Sequence, residues 1–244
     1  MNRGKKQGRL ERTFDSGEMD RVFINGLDLR HNQIYLNGVD RGYEVAFETD
    51  EPGVDFVMAT QFTKNLNLCS SRNPRKPILV HMSTCGGDWN FGMQIYDAIK
   101  ACESPITIVN YTHARSMSSI ILQAADWRVM MPNSHFMFHQ GTYGNYGTLK
   151  QVTSDLEFYS KVGTRTMLDI YTDSMKKKGE MKEKSRKEIA DWLTEQMDKK
   201  EDVFLTSGEA VNYGFADEIF QGWKNYLDER TRNPIVPKTS MSER

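Results

Sequence analysis

The chain is poor in several things, and each shortage closes off a class of function. Its three cysteines, Cys69, Cys85 and Cys102, are odd in number and none stands in a C-x-x-C pair. That pattern argues against disulfide staples and cysteine-rich zinc sites and for reduced thiols in a cytoplasmic compartment. Charge of one sign is also missing: 32 Lys+Arg stand against 33 Asp+Glu, a net charge of −1. A general nucleic-acid binder would carry a basic excess, so no nucleic-acid partner is expected. No stretch approaches the ~18 consecutive apolar residues of a membrane span, and residues 1–21 lack the apolar middle of a secretory signal. No internal repeat or low-complexity tract occurs. His81 and His113 have no companions at metal-ligand spacing, so neither a metal nor a cofactor is expected. At 38% hydrophobic and 11% aromatic residues, the composition is that of a folded globular chain. A compact chain of this size buries about 70–75% of its unfolded surface, enough for one large core.

Along the chain, residues 1–20 are charged and without periodicity and read as a mobile N-terminal arm. Two β-like runs follow at residues 21–24 and 33–36, the second closed by an Asn37-Gly38 turn signal. Residues 40–55 hold six acids and one arginine and read as a solvated acidic insertion. From Val54 apolar residues recur at helical spacing until Pro74, and strands and helices then alternate. Strands are expected at 78–82, 106–111, 127–131 and 135–139, with helices at 89–101 and from 116. Short apolar strands each followed by a helix indicate a largely parallel α/β sheet. A long amphipathic helix is expected over 149–175, ending at Lys176-Lys-Lys-Gly179 with the glycine in a C′-like place. A second helix carries Ile189, Trp192, Leu193 and Met197 on its apolar face. Between them residues 176–188 hold seven bases and three acids and read as a solvated loop, since no aromatics interleave to make a stacking platform. Residues 223–244 read as a flexible tail.

Three segments carry chemistry. Ser83-Thr-Cys-Gly-Gly-Asp88 follows one strand and precedes a helix, where paired glycines let the backbone turn sharply and present N–H groups. Ser116 lies where the next strand gives way to a helix, and it reads either as an N-cap or as a nucleophile. In the second reading the oxyanion would be held by the N–H of Met117 and a glycine N–H from 86–87. His139 lies 23 residues further on and offers the base that a serine hydroxyl needs. An orienting carboxylate could be Asp198, Glu201, Asp202 or Asp217, and composition selects none of them. Ser118 and Ser119 read as packing hydroxyls, and Met117, Trp127, Phe136 and Phe138 as core.

In this order the segments resemble the Clp protease proteolytic subunit (ClpP) family of serine peptidases. Residues 78–87 followed by 92–97 are similar to that family's strand, S-P-G-G turn and helix. Ala114-Arg-Ser-Met117 resembles its A-x-S-M segment, and Met131-Pro-Asn-Ser-His-Phe-Met-Phe-His-Gln140 its L-P-N-S-x-x-M-x-H-Q segment. Residues 202–217 resemble D-x-x-x-S-A-x-E-A-x-x-Y-G-L-x-D. The resemblance implies a ClpP/crotonase-like repeated ββα spiral over residues 21–222 with a protruding handle near 140–180, made of a strand after Gln140 and the long helix. It implies Ser116 as nucleophile, His139 as base, Asp202 as orienting acid, and Gly86, Gly87 and Met117 around the oxyanion. It also implies heptameric rings in a double ring, polypeptide substrates and an AAA+ unfoldase partner. The chain departs from the family at Cys85, where proline is usual, and at Thr112, Arg115 and Ser118, where small residues are usual; Arg115 would crowd the turn. Alternative readings are a non-catalytic ring subunit, a phage-type head-maturation protease and a crotonase-like acyl-CoA enzyme.

Overall fold

The computed structural model describes residues 16–37, 51 and 53–237. Most of the expected arm, the Asn37-Gly38 turn and most of the acidic stretch 40–55 lie outside the described residues. The apolar run at Ile78–Thr84 forms β3, buried at all but one position because it lies between two parallel neighbours. These are β2 (Gln33–Asn37) and β4 (Ile106–Arg115), and the two-residue β1 (Leu27–Asp28) pairs antiparallel with β2. β4 is long enough to serve two partners. Its first half pairs in parallel with β5 (Trp127–Met130), and its end pairs in parallel with β6 (His135–Phe138). β7 (Val203–Thr206) adds antiparallel to β6, and β8 (Glu218–Ile219) parallel to β5. The result is a mixed α/β architecture with a central sheet.

Side-chain caps start most of the helices. Asp55 accepts from the Met58 N–H to open α2 (Phe56–Arg72), and Asp88 accepts from Asn90 and Phe91 to open α3 (Trp89–Ala101). Such caps contribute about 1 kcal/mol each. One apolar core joins the sheet to α2, α3, α4 (Met117–Gln123) and later helices, with Phe136, Phe138, Tyr171 and Phe215 as its aromatic centre. The Phe136 and Phe215 rings stack at 4.6 Å. Trp127, Phe136, Phe138 and Met117 are all buried.

Five local expectations change. Residues 21–24 belong to a helix, α1 (Ser16–Asn25), in spite of their β-branched and aromatic content. Gly26 at φ +60° ends it by donating to the Val22 carbonyl, and a Cβ there would come 2.6 Å from the Tyr35 oxygen. No strand follows Gln140; residues 141–148 run without regular structure and are exposed. The long helix is three pieces: α5 (Leu149–Phe158), a π-helical segment (Tyr159–Gly163) and α6 (Thr164–Lys177). Gly179 does not adopt the left-handed conformation of a helix-ending glycine. Its lack of a Cβ instead admits the Tyr213 carbonyl, which would stand 2.2 Å from one. After α7 (Arg186–Lys200), whose Ile189, Leu193 and Met197 are buried, and α8 (Ser207–Tyr213), the expected tail is held down through residue 237. The second face of the sheet exposes Leu79, Val109, Trp127 and Val129, and Tyr226 and Leu227 cover them. Tyr226 also donates to Glu218 at 2.8 Å, and the Arg232 carbonyl accepts from Gln33. Among the described residues no helix is long and apolar enough to cross a membrane.

Candidate active site

Strand register does most of the assembly. Arg115 stands opposite Met137 in the parallel β4–β6 pair, and Phe138 opposite Val203 in the antiparallel β6–β7 pair. The next residues outward, Ser116, His139 and Asp202, therefore leave the sheet side by side, where an α/β sheet presents its ligand-binding crevice. The Ser116 N–H still donates to the Met137 carbonyl at 3.1 Å. From these positions His139 Nε2 lies 2.8 Å from Ser116 Oγ and His139 Nδ1 lies 2.9 Å from Asp202 Oδ1. An imidazole protonated at Nδ1 satisfies both contacts, donating to the carboxylate and accepting from the hydroxyl. His139 is largely buried, whereas the Asp202 side chain is 43% exposed.

The serine sits on a strained turn. Ser116 has φ +50° and ψ −127° and its side chain caps nothing, so the hydroxyl is left for His139. A non-glycine residue in this region costs about 1–3 kcal/mol and persists only when its surroundings hold it. Here they do. Ser119 donates to the Ser116 carbonyl from both its N–H (3.0 Å) and its Oγ (2.5 Å). Ser118 Oγ accepts from the Arg115 N–H and donates to the Arg115 carbonyl. The two serines are buried, as expected for packing hydroxyls, but they also tie the turn. Sequence reasoning missed Tyr171, whose hydroxyl lies 2.6 Å from Ser119 Oγ. Its only sequence signal is its position next to Ile170 on the buried side of α6.

The paired glycines differ. Gly86, at φ +102°, packs against the turn so closely that a Cβ would approach Ser116 Cβ to 2.8 Å. Gly87, at φ +144°, bridges to Val54. That bridge uses the Gly86 carbonyl and the Asp88 N–H, which leaves the Gly87 N–H on the opposite side. A groove of about 610 Å³ is lined by Gly87, Ser116, Met117 and His139, with Ile120 and Met167 also in its wall. Gly86 supports the turn from behind it. Asn90 at the start of α3 donates to the Tyr159 hydroxyl at 2.8 Å beside this groove.

Of the candidate acids, only Asp202 meets His139. Asp198 accepts from Gln140 at 3.3 Å, and Glu201 ends α7 with φ +58°. Asp217 is spent on Arg128, which reaches both carboxylate oxygens at 2.9 Å. Burial alone would push the Asp217 carboxyl up, but the hydrogen bonds and charge of Arg128 outweigh it and hold it below the usual range. Arg115 does not crowd the groove; its guanidinium turns out over the Phe204 ring, 5.9 Å from the centroid. His113 meets Glu51 at 2.8 Å and His81 is buried between Tyr111 and Gln33. Cys85 Sγ faces the Glu51 carbonyl at 3.7 Å. Among the described residues no cluster of three His, Cys, Asp or Glu side chains could hold a metal ion.

The fold and this site together define an α/β protein with a hydrogen-bonded Ser–His–Asp chain at the ends of neighbouring strands, a set of groups suited to a serine nucleophile, a base and an orienting acid. The Clp protease family model matches residues 50–222, a span that contains every residue of that chain. The chain is 31% identical over 174 residues to the ATP-dependent Clp protease proteolytic subunit of Deinococcus radiodurans, covering 68% of this chain and 76% of that protein. It is 28% identical over 170 residues to the ATP-dependent Clp protease proteolytic subunit 2 of Treponema denticola, covering 69% and 78%. This chain belongs to the Clp protease family.

Proposed function

We propose that this protein is a serine endopeptidase that cuts unfolded polypeptides or short peptides. The observation that carries the reading is the pair of contacts at 2.8 and 2.9 Å that links Ser116 through His139 to Asp202. In this reaction Ser116 Oγ attacks the scissile carbonyl as His139 Nε2 takes its proton. His139 then returns that proton to the leaving amine, and water repeats the sequence in reverse to free Ser116. Asp202 holds the Nδ1–H tautomer and stabilises the imidazolium. The N–H groups of Met117 and Gly87 take the oxyanion, each worth about 3–4 kcal/mol in such sites, while Gly86 keeps the turn in place.

The same reading includes assembly into a heptameric ring or a double ring in the cytoplasm. It is supported by α5, which buries none of its residues and leaves Leu149, Leu156 and Phe158 exposed. Large apolar side chains left exposed along one helix in this way mark an interaction surface. Work with an AAA+ unfoldase is supported by the names of the relatives, which call them ATP-dependent. A non-catalytic ring subunit would have no need of a strained serine hydrogen-bonded to a histidine, and an acyl-CoA enzyme would leave the Asp202 contact without purpose.

Intact mass after treatment with a fluorophosphonate tests the reading. The wild type should gain one adduct, with fluoride expelled from phosphorus by Ser116 Oγ, and Ser116→Ala and His139→Ala should gain none. An assembled wild-type protein that takes no adduct overturns it.

A further inference from the structure

The carbonyl of Ser116 and the N–H of Met117 belong to one planar peptide unit and point in opposite directions. Whatever grips the carbonyl therefore sets the direction of the N–H. Two donors grip it, the Ser119 N–H at 3.0 Å and the Ser119 hydroxyl at 2.5 Å. A hydroxyl has one proton, so with that proton on the Ser116 carbonyl, the 2.6 Å contact between Ser119 Oγ and the Tyr171 hydroxyl must be donated by Tyr171. The tyrosine is fully buried, which pushes its pKa up and keeps it a donor at any working pH. Its ring is held among Phe136, Phe138 and Phe215, with centroids at 6.2, 5.9 and 5.5 Å. The hydroxyl is thereby aimed at Ser119 by packing.

Back-bonding of a helical hydroxyl to a carbonyl one turn earlier is common, and Thr63 and Thr194 do the same to Ala59 and Ala190. Those carbonyls belong to ordinary helical residues. The Ser116 carbonyl belongs to a residue at φ +50° whose following N–H opens the helix on the groove side.

We propose that Tyr171 and Ser119 are positioning residues, a two-hydroxyl relay that fixes and polarises the Ser116–Met117 peptide so that the Met117 N–H is held ready for the oxyanion. The proposal rests on the peptidase reading above. Hydrogen bonds in series strengthen one another, and a peptide whose oxygen accepts two of them has a more acidic N–H. The relay also fastens α6, which carries Tyr171, to the turn that carries the nucleophile.

The test uses the full chain with Tyr171→Phe, which keeps the ring, and Ser119→Ala, with Ser119→Thr to restore the hydroxyl. Each is assayed for kcat and KM on a fluorogenic peptide and for inhibition by a peptide boronic acid, whose tetrahedral adduct places an oxygen in the oxyanion position. Losing one such bond should lower kcat about tenfold, with KM held within about twofold. Boronate inhibition should weaken by the same factor. The double variant should be no slower than Ser119→Ala, because the bonds act in series, and Ser119→Thr should recover most of the rate. Should Tyr171→Phe fail to fold, Ser119→Ala and its threonine rescue carry the same decision. A lowered melting temperature with kcat and boronate affinity unmoved would make the bonds merely structural and overturn the relay. Fluorophosphonate labelling of the wild type separates the two levels. A labelled wild type with unmoved variants removes the relay alone, and an unlabelled one removes the peptidase reading and the relay together.

Discussion

The same two residue types are put to opposite uses in two regions of the molecule. At the strand ends, His139 and Asp202 meet at 2.9 Å on the rim of a groove, with the carboxylate 43% exposed. Inside the fold, His81 and Asp217 are sealed off, Asp217 with only 4% of its side chain exposed. The interior pair has every polar atom occupied by a permanent partner: Arg128 and Lys178 for Asp217, Tyr111 and Gln33 for His81. The rim pair leaves a carboxylate in reach of water and an imidazole whose second nitrogen faces a hydroxyl. In the proposed reaction the rim groups pass protons and keep one side open to water, whereas the interior groups are saturated and hold the fold. Changes at the rim should therefore cost rate, and changes inside should cost stability.

The sharpest contrast is between the two aspartates. Asp202→Asn should lower kcat by about 10⁴-fold, because an amide facing Nδ1 favours the wrong tautomer. Its unfolding free energy from urea titration should stay within about 0.5 kcal/mol of wild type, as for other exposed substitutions. Asp217→Asn should do the reverse. It leaves a buried Arg128 without its counter-charge, facing only neutral acceptors: the remaining amide oxygen at 217, Gln123 Oε1 and the Gly214 carbonyl. Breaking a buried pair of this kind costs about 3–5 kcal/mol. The folded fraction should keep its activity. The pH dependence has a definite sign. Since the folded Asp217 pKa lies below the ordinary 3.8, its stabilisation is present above that value and is lost as pH falls through the folded one. Denaturant titrations at pH 7 and pH 3, alongside peptide hydrolysis at pH 7, check both halves. A stable but inactive Asp217→Asn would break the division between the regions.

How far this division could be read from sequence differs for each member. Ser116 and His139 were visible because a strand-to-helix junction and a strand end place chemistry at one edge of a parallel sheet. The choice of Asp202 over Asp217 came from resemblance to a family. In the structure it follows from register: with Phe138 opposite Val203, the next pair outward is His139 and Asp202. Register between strands about 65 residues apart is not written in local pattern. The helix at Trp89–Ala101 was legible because its apolar spacing was regular, whereas the start of α7 was not: residues 186–188 lie inside the stretch expected as a solvated loop, although Ser185 caps the helix there. Residues 21–24 misled because β-branched content is a weak prior that a terminating Gly26 overrides. The tail from Trp223 misled because its polar, proline-containing sequence hides Tyr226 and Leu227, whose burial depends on an uncovered sheet face that local sequence does not reveal. Amphipathy in α5 and α6 looked continuous, yet α6 buries Met167, Ile170, Tyr171 and Met175 while α5 buries nothing. A stripe says which face wants cover and not which chain supplies it.

The smallest expected effect concerns His81, the interior counterpart of His139. Its Nδ1 meets the Tyr111 hydroxyl at 2.8 Å, its Nε2 meets Gln33 Oε1 at 2.9 Å, and its ring stacks on Tyr35 at 4.5 Å. Burial pushes its pKa down to about 4, with Asp28 pulling weakly the other way. Above the ordinary value of 6.5 the imidazole is neutral in both folded and unfolded chains, so it makes no pH-dependent contribution. Between about 6.5 and about 4 the unfolded chain takes up a proton that the folded chain refuses, so stability falls as the pH falls through that window. At pH 5 the loss relative to pH 7 should be about 2 kcal/mol by this group alone. Urea titrations of wild type and His81→Gln at the two values isolate it. The variant should lose that part of the slope and keep peptide hydrolysis, because His81 lies on the face covered by Trp223 and Tyr226 and touches nothing in the groove. If the slope survived the substitution, the interior histidine would not be the saturated, proton-refusing group that sets it apart from His139.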